Sequence, residues 1–199
     1  MRSILLTLAL ALAAVTATLA ADPKEYLPIQ IGSEWTSGAA FAPAKGAKTS
    51  GTGRRQMTEK VEIEGKTYHR ARTKLEGGEK PMEYSKLIRK DDAGLYSLAD
   101  GVAGAKEQLE IPLPLKEGQT WQTAAGPMTF TNTVVGLETV TTVGKKTYKE
   151  CFHIRVESAD KSYREDYWEA PGVGNVKSEI VSTTMGKITL TLREFKAGK

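Results

Sequence analysis

A single cysteine, Cys151, stands in 199 residues, so no internal disulfide is available and the fold must rest on an apolar core. Histidine is nearly as scarce, at His69 and His153 only. Zinc sites draw several ligands from Cys, His and carboxylates; Cys151 and His153 make only a pair, with His69 far from them in the chain. A strong charge of one sign is also missing: 28 basic and 24 acidic residues leave a formal net charge of +4. The two signs are interleaved, as in Glu59-Lys60, Glu64-Gly65-Lys66 and Glu79-Lys80. A nucleic-acid binder carries a one-sided basic stripe, so a mixed solvated surface with no nucleic-acid partner is the reading. The strand-to-helix elbow G-x-S-x-G is absent, and so is the phosphate loop G-x-x-x-x-G-K-S/T.

Long uncharged apolar runs are equally rare. Ile4–Leu19 is one, and it is short of the about 20 residues a spanning helix needs. Arg2 precedes it and Thr18-Leu19-Ala20 ends it with small residues, the pattern of a secretory signal peptide. Cleavage is expected between Ala20 and Ala21, leaving one domain over 21–199 in the periplasm or outside the cell, with no membrane span. No cysteine lies beside the cut to accept a lipid.

What the chain has in quantity is alternation of period two. Ile188, Leu190 and Leu192 alternate with Thr189, Thr191 and Arg193; Phe152, Ile154 and Val156 alternate with Cys151, His153, Arg155 and Glu157; Met128, Phe130 and Val134 fall among threonines. Threonine suits a pleated, half-buried surface, and one polar face per strand indicates an antiparallel sheet. Short Gly-containing connections separate the runs: Glu64-Gly65-Lys66, Asp91-Asp92-Ala93-Gly94 and Met185-Gly186-Lys187. Only Glu25–Leu27 and Val102–Gln108 have room for a short helical turn. The count is about ten to twelve strands in one curved antiparallel sheet. Its apolar face, carrying Phe152, Ile154, Val156, Ile188, Leu190 and Leu192, is expected to curl inward.

Two segments share P-x3-G-x2-W: Pro28 to Trp35 and Pro114 to Trp121. Gly65-Lys-Thr-Tyr68 and Gly144-Lys-Lys-Thr-Tyr148 follow in the same order. This order is compatible with two similar meanders, about 28–100 and 114–196. In each unit proline ends the preceding segment, glycine supplies a turn conformation, and tryptophan opens a strand. Trp35 and Trp121 are expected as core plugs rather than ligand platforms.

Three segments carry a resemblance: Tyr26-Leu-Pro28-Ile-x-Ile-Gly32-x-x-Trp35, Ile111-Pro-Leu-Pro114-Leu-x-x-Gly118-x-x-Trp121, and Tyr167-Trp-Glu-Ala-Pro171-Gly-Val-Gly174-x-Val176-Lys177. Together they resemble a family of uncharacterised exported bacterial β-proteins. Their fold is similar to that of the lipoprotein carriers, a curved antiparallel sheet forming a half-barrel. The resemblance implies that fold over nearly the whole of 21–199 and brings no catalytic residues with it.

The remaining chemistry is thin. Cys151 and His153 are two apart on one strand, but no elbow exposes the thiol, and a half-exposed strand face accounts for them. Asp91-Asp92 lacks the further spaced oxygens of a calcium loop, and Pro171-Gly-Val-Gly174 reads as a turn. Glu165, Asp166 and Glu169 beside Tyr167 and Trp168 have glycosidase composition. Glu165 and Asp166 point to opposite faces, however, and a solvated strand edge accounts for them. No catalytic, metal or cofactor residue is therefore assigned, no cofactor is expected, and the binding residues are left open. The leading reading is a non-catalytic envelope protein that binds an apolar small molecule or another envelope protein. The alternatives are a hydrolase assembled from scattered residues and a module of a larger envelope assembly.

Overall fold

The computed structural model describes Tyr26 and residues 28–78 and 80–199; the expected signal segment 1–20 and its cleavage site lie outside them. Twelve strands follow in chain order: β1 (Glu34–Ala42), β2 (Thr49–Ile63), β3 (Lys66–Glu76), β4 (Met82–Lys90), β5 (Gly94–Ala99), β6 (Gln108–Pro112), β7 (Thr120–Ala125), β8 (Met128–Thr141), β9 (Thr147–Ser158), β10 (Tyr163–Ala170), β11 (Gly174–Ser182) and β12 (Gly186–Lys196). They form one antiparallel sheet in which β1 pairs with β12, and β6 and β7 stand at the two ends. Sheet twist brings those ends together, so the sheet is nearly closed into a barrel. Between β6 and β7 side chains replace the ladder. The Trp121 indole N–H donates to the Glu110 carbonyl (2.8 Å), and the Ala124 N–H donates to the Gln108 side-chain oxygen (3.1 Å).

The hairpins sit where their turn chemistry places them. Glu64 and Gly65 both have positive φ (50° and 73°) between β2 and β3, a two-residue turn whose twist matches the strands. Asp91 accepts the Ala93 and Gly94 N–H groups (2.9 and 3.2 Å), which fixes the turn into β5. The segment from Val102 to Glu107, allowed a helical turn by its sequence, is instead a loop of turns that leads into β6 at Gln108.

The two P-x3-G-x2-W units adopt the same local structure. The Gly32 N–H donates to Met57 O (2.8 Å), Ser33 N–H to Gln30 O (3.1 Å) and Met57 N–H to Ser33 O (2.9 Å). In the second unit Gly118 N–H donates to Val134 O (2.8 Å), Gln119 N–H to Lys116 O (3.0 Å) and Val134 N–H to Gln119 O (2.9 Å). Both glycines have positive φ, 84° and 76°, which glycine tolerates without strain. In both, the partner strand breaks register just beyond the anchored residue, between Met57 and Glu59 and between Val134 and Gly136.

These units lie at the end of the barrel where β1 and β7 begin, and that end holds most of the core. Trp35, Met57, Ile111, Leu115, Val134 and Phe152 belong to one buried cluster. Tyr26 reaches into it, with its ring on Phe152 (centroids 4.8 Å apart) and its hydroxyl on the Glu150 carbonyl (2.8 Å). A smaller cluster of Ala39, Phe41, Leu75 and Ile188 lies toward the opposite end.

Candidate functional site

Between the two clusters the barrel is not filled. A cavity of about 850 Å³ lies inside it, within the range typical of small-molecule sites. Trp35 and Ile29 lie at its floor, and Met128, Ser182 and Met185 line it at the end of the β7–β8 and β11–β12 turns. Met128 and Met185 are exposed there, so this end is the mouth. Val156 and Leu190, expected on an inward face, line the cavity, whereas Phe152, Ile154 and Leu192 are buried in the core below it. Ile188 belongs to the second cluster.

Two acids of the cavity, Glu165 and Glu169, come from β10, which the sequence places at a solvated edge. That placement is corrected: β10 is bonded on both sides, to β9 and β11, and is interior to the sheet. The alternation itself stands. Glu165, Tyr167 and Glu169 line the cavity, paired across the ladder with Val156, Ile154 and Phe152, while Asp166 and Trp168 belong to the other face. Burial pushes the Glu165 carboxyl above its ordinary value against the hydroxyl of Tyr163, which donates to it (2.9 Å). Burial likewise pushes the Glu169 carboxyl up to about 7, and neither Arg55 nor the Asn175 amide (3.4 Å) offsets it. Opposite β10, Lys86 holds Glu110 in an ion pair of 3.0 Å, and Ser97 donates to the same oxygen.

The raised Glu169 carboxyl has a consequence for stability. Its unfolded value is near 4.5 and its folded value about 7, so the fold favours the protonated form. The contribution is fully present below about pH 4.5 and is lost as pH rises through about 7. Glu169→Gln is therefore expected to be more stable than the parent at about pH 8, on the order of 2–3 kcal/mol, and to match it near pH 4. Denaturant melts at the two pH values check this; a variant less stable at both refutes it.

The outer face of the same strands carries a second cluster. The sequence reads His153 as part of a half-exposed face, but the side chain is buried, with each ring nitrogen on a different carboxylate. Nδ1 lies 2.8 Å from Glu138 Oε1, and Nε2 lies 2.8 Å from Asp166 Oδ1. The ring stacks on Trp168 (4.5 Å), whose indole N–H donates to the other Glu138 oxygen (2.8 Å) and whose ring also carries Lys177 (4.4 Å). Arg155 and Arg164 donate to Asp166 (2.8 and 2.6 Å). Both ring nitrogens of His153 are occupied, and the described residues hold no group of three His, Cys, Asp or Glu arranged for a metal ion.

The other singled-out residues stay apart from the cavity. Cys151 is buried with its thiol 3.5 Å from the Tyr148 carbonyl, and burial pushes that thiol up to about 11, so it stays protonated at neutral pH. His69 has a buried Nδ1 with no hydrogen-bond partner, and burial lowers its affinity for a proton. Trp35 is buried as expected and donates to the Val173 carbonyl (2.6 Å), but one part of its ring also faces the cavity. Trp121 is only partly buried, against the core at the β6–β7 seam.

The fold is an antiparallel barrel with a filled floor, an interior cavity and an open mouth. Comparison with solved structures finds that fold in bacterial proteins. One is a protein inferred to be exported, with a YmcC-like fold, from Bacteroides fragilis: 16% identity, TM-score 0.53, covering 85% of this chain and 98% of that one. Another is a protein inferred to be a lipoprotein, from Parabacteroides distasonis: 13% identity, TM-score 0.51, covering 86% of this chain and 98% of that one. A β-barrel-like protein of a domain of unknown function from Brucella abortus aligns at 7% identity and TM-score 0.46, covering 85% and 99%. No family model and no curated protein matches the chain. At these identities the likeness concerns the fold. Among the described residues no helix is long and apolar enough to cross a membrane.

Proposed function

We propose that this chain is an exported envelope protein, periplasmic or secreted, that binds a small molecule with a substantial apolar part inside its barrel. The observation that carries the reading is the cavity of about 850 Å³, which sets an apolar wall that includes Val156, Ile180 and Leu190 beside polar and charged side chains. Neither histidine nor Cys151 lines it, which favours binding over a hydrolase built from those residues. The charged start and apolar run of 1–20 support export.

The test is a neutral apolar fluorophore, N-phenyl-naphthylamine. It is expected to bind the folded protein at one site, brighten, and be displaced by alkyl-chain amphiphiles. Thr73→Trp, which puts a large ring into the cavity from β3, is expected to abolish binding while leaving the melt cooperative. Absence of binding, or binding indifferent to that substitution, refutes the reading.

A further inference from the structure

We propose that the cavity selects an amphiphile with a protonated amine as its head group, seated against Glu165 with Glu169 deeper on the same strand. This rests on the binding reading above and adds the chemistry of the ligand.

Most charges in the cavity already have partners. Three cations line it, and two of them are held by carboxylates. Lys86 is on Glu110 at 3.0 Å. Arg54 is bidentate on Glu34, at 3.0 and 2.8 Å. Arg55 lies over the Trp35 ring, 5.5 Å from its centroid, and its charge reaches Glu169 without outweighing burial there. Among the anions, Glu110 is satisfied: Lys86, Ser97 and the Gln108 amide all donate to one of its oxygens. Glu165 and Glu169 are the residual pair. Neither has an ion-pair partner among the described residues. Glu165 receives the neutral Tyr163 and Ser178 hydroxyls and feels the charge of Lys86, and Glu169 has a long amide contact from Asn175.

A buried carboxylate without a cation is costly, and the cost is removed by a partner that is itself charged and donates a hydrogen bond. An ammonium group supplies both. The Tyr167 ring lies between the two carboxylates on β10, and an aromatic face adds attraction for a cation. Val156, Ile180, Leu190 and Phe130 form the apolar wall for the tail. A carboxylate or sulfate head would meet two acids that lack an ion-pair partner, with Lys86 and Arg54 already on carboxylates and Arg55 acting on Glu169. The raised carboxyl values of both glutamates agree with a site that lacks its cation.

The protein as a whole carries a formal charge of +4, so loose surface attraction favours anions. A preference for the ammonium must come from the cavity. Dodecylamine, dodecanol and dodecanoate, each below its micellar concentration, are titrated against bound N-phenyl-naphthylamine at about neutral pH. Dodecylamine is expected to displace the probe at about a tenfold lower concentration than dodecanol, and dodecanoate to be weakest. Glu165→Gln, which keeps the shape of the side chain, is expected to bring dodecylamine to the level of dodecanol without weakening dodecanol. Glu169→Gln is expected to give a smaller loss in the same direction. If dodecanoate competes as well as dodecylamine, or if Glu165→Gln leaves the ranking unchanged, the head-group assignment is overturned while the binding reading stands. If the probe itself does not bind, both fall together.

Discussion

Replacing Trp35 by alanine is expected to cost about 3–5 kcal/mol of folding free energy, read from denaturant melts. The indole is 6% exposed and stands at the floor of the barrel, at the start of the first strand. It packs on Phe195 (centroids 5.2 Å), lies under the Arg55 guanidinium, and donates its N–H to the Val173 carbonyl at 2.6 Å. That last bond ties β1 to the turn between β10 and β11, 138 residues away. Removing the ring opens a void beside an existing cavity and strands the Val173 carbonyl. Trp121→Ala is expected to cost less, about 1–2 kcal/mol, because that ring is only partly buried and its bond spans the β6–β7 seam. Equal losses for the two, or a loss under about 1 kcal/mol for Trp35, would contradict the distinct roles assigned here.

The difference between these tryptophans marks how far the sequence can be read. Their shared P-x3-G-x2-W unit predicts a turn and a strand start, and both units make the same three backbone hydrogen bonds. What differs is the neighbour across the barrel, which no local pattern encodes. The clean alternation in β9 and β12 gave the inward face because only one parity is apolar there. In β10 both parities are mixed, with Glu165 and Glu169 on one and Asp166 and Trp168 on the other. Pattern cannot choose between them, and a strand with two polar faces looks like an edge. The first half of β2 is hidden for another reason: Gly51 and Gly53 have weak strand propensity. At Gly51 the paired backbone comes so close that a Cβ would sit 1.7 Å from the Glu76 carbonyl oxygen. Tertiary contact, not propensity, makes that segment a strand. His153 needed the register of two ladders before Asp166 and Glu138 could be seen flanking it.

That flanked histidine yields the second large effect. Asp166→Ala is expected to destabilise the protein by about 3–5 kcal/mol at neutral pH. The carboxylate is 7% exposed and accepts from His153, Arg155 and Arg164. Arg155 and Arg164 can turn toward water when it is removed, but His153 is held between strands and beneath Trp168, and loses the acceptor of its Nε2. The same carboxylate also sets an acid limit on the fold. Burial raises its proton affinity, but the hydrogen bonds from His153, Arg164 and Arg155 outweigh burial and hold it below the ordinary aspartate value. A depressed carboxyl adds stability that is complete above its unfolded value of about 4 and is lost as pH falls through the folded value. The gap in stability between parent and Asp166→Ala is therefore expected to be constant from about pH 5 to neutrality and to narrow below about pH 4. Urea melts across that range measure it. A gap that stays constant to the lowest pH would mean that Asp166 acts through packing alone, and that its charge does not hold the outer wall of β8, β9 and β10 together.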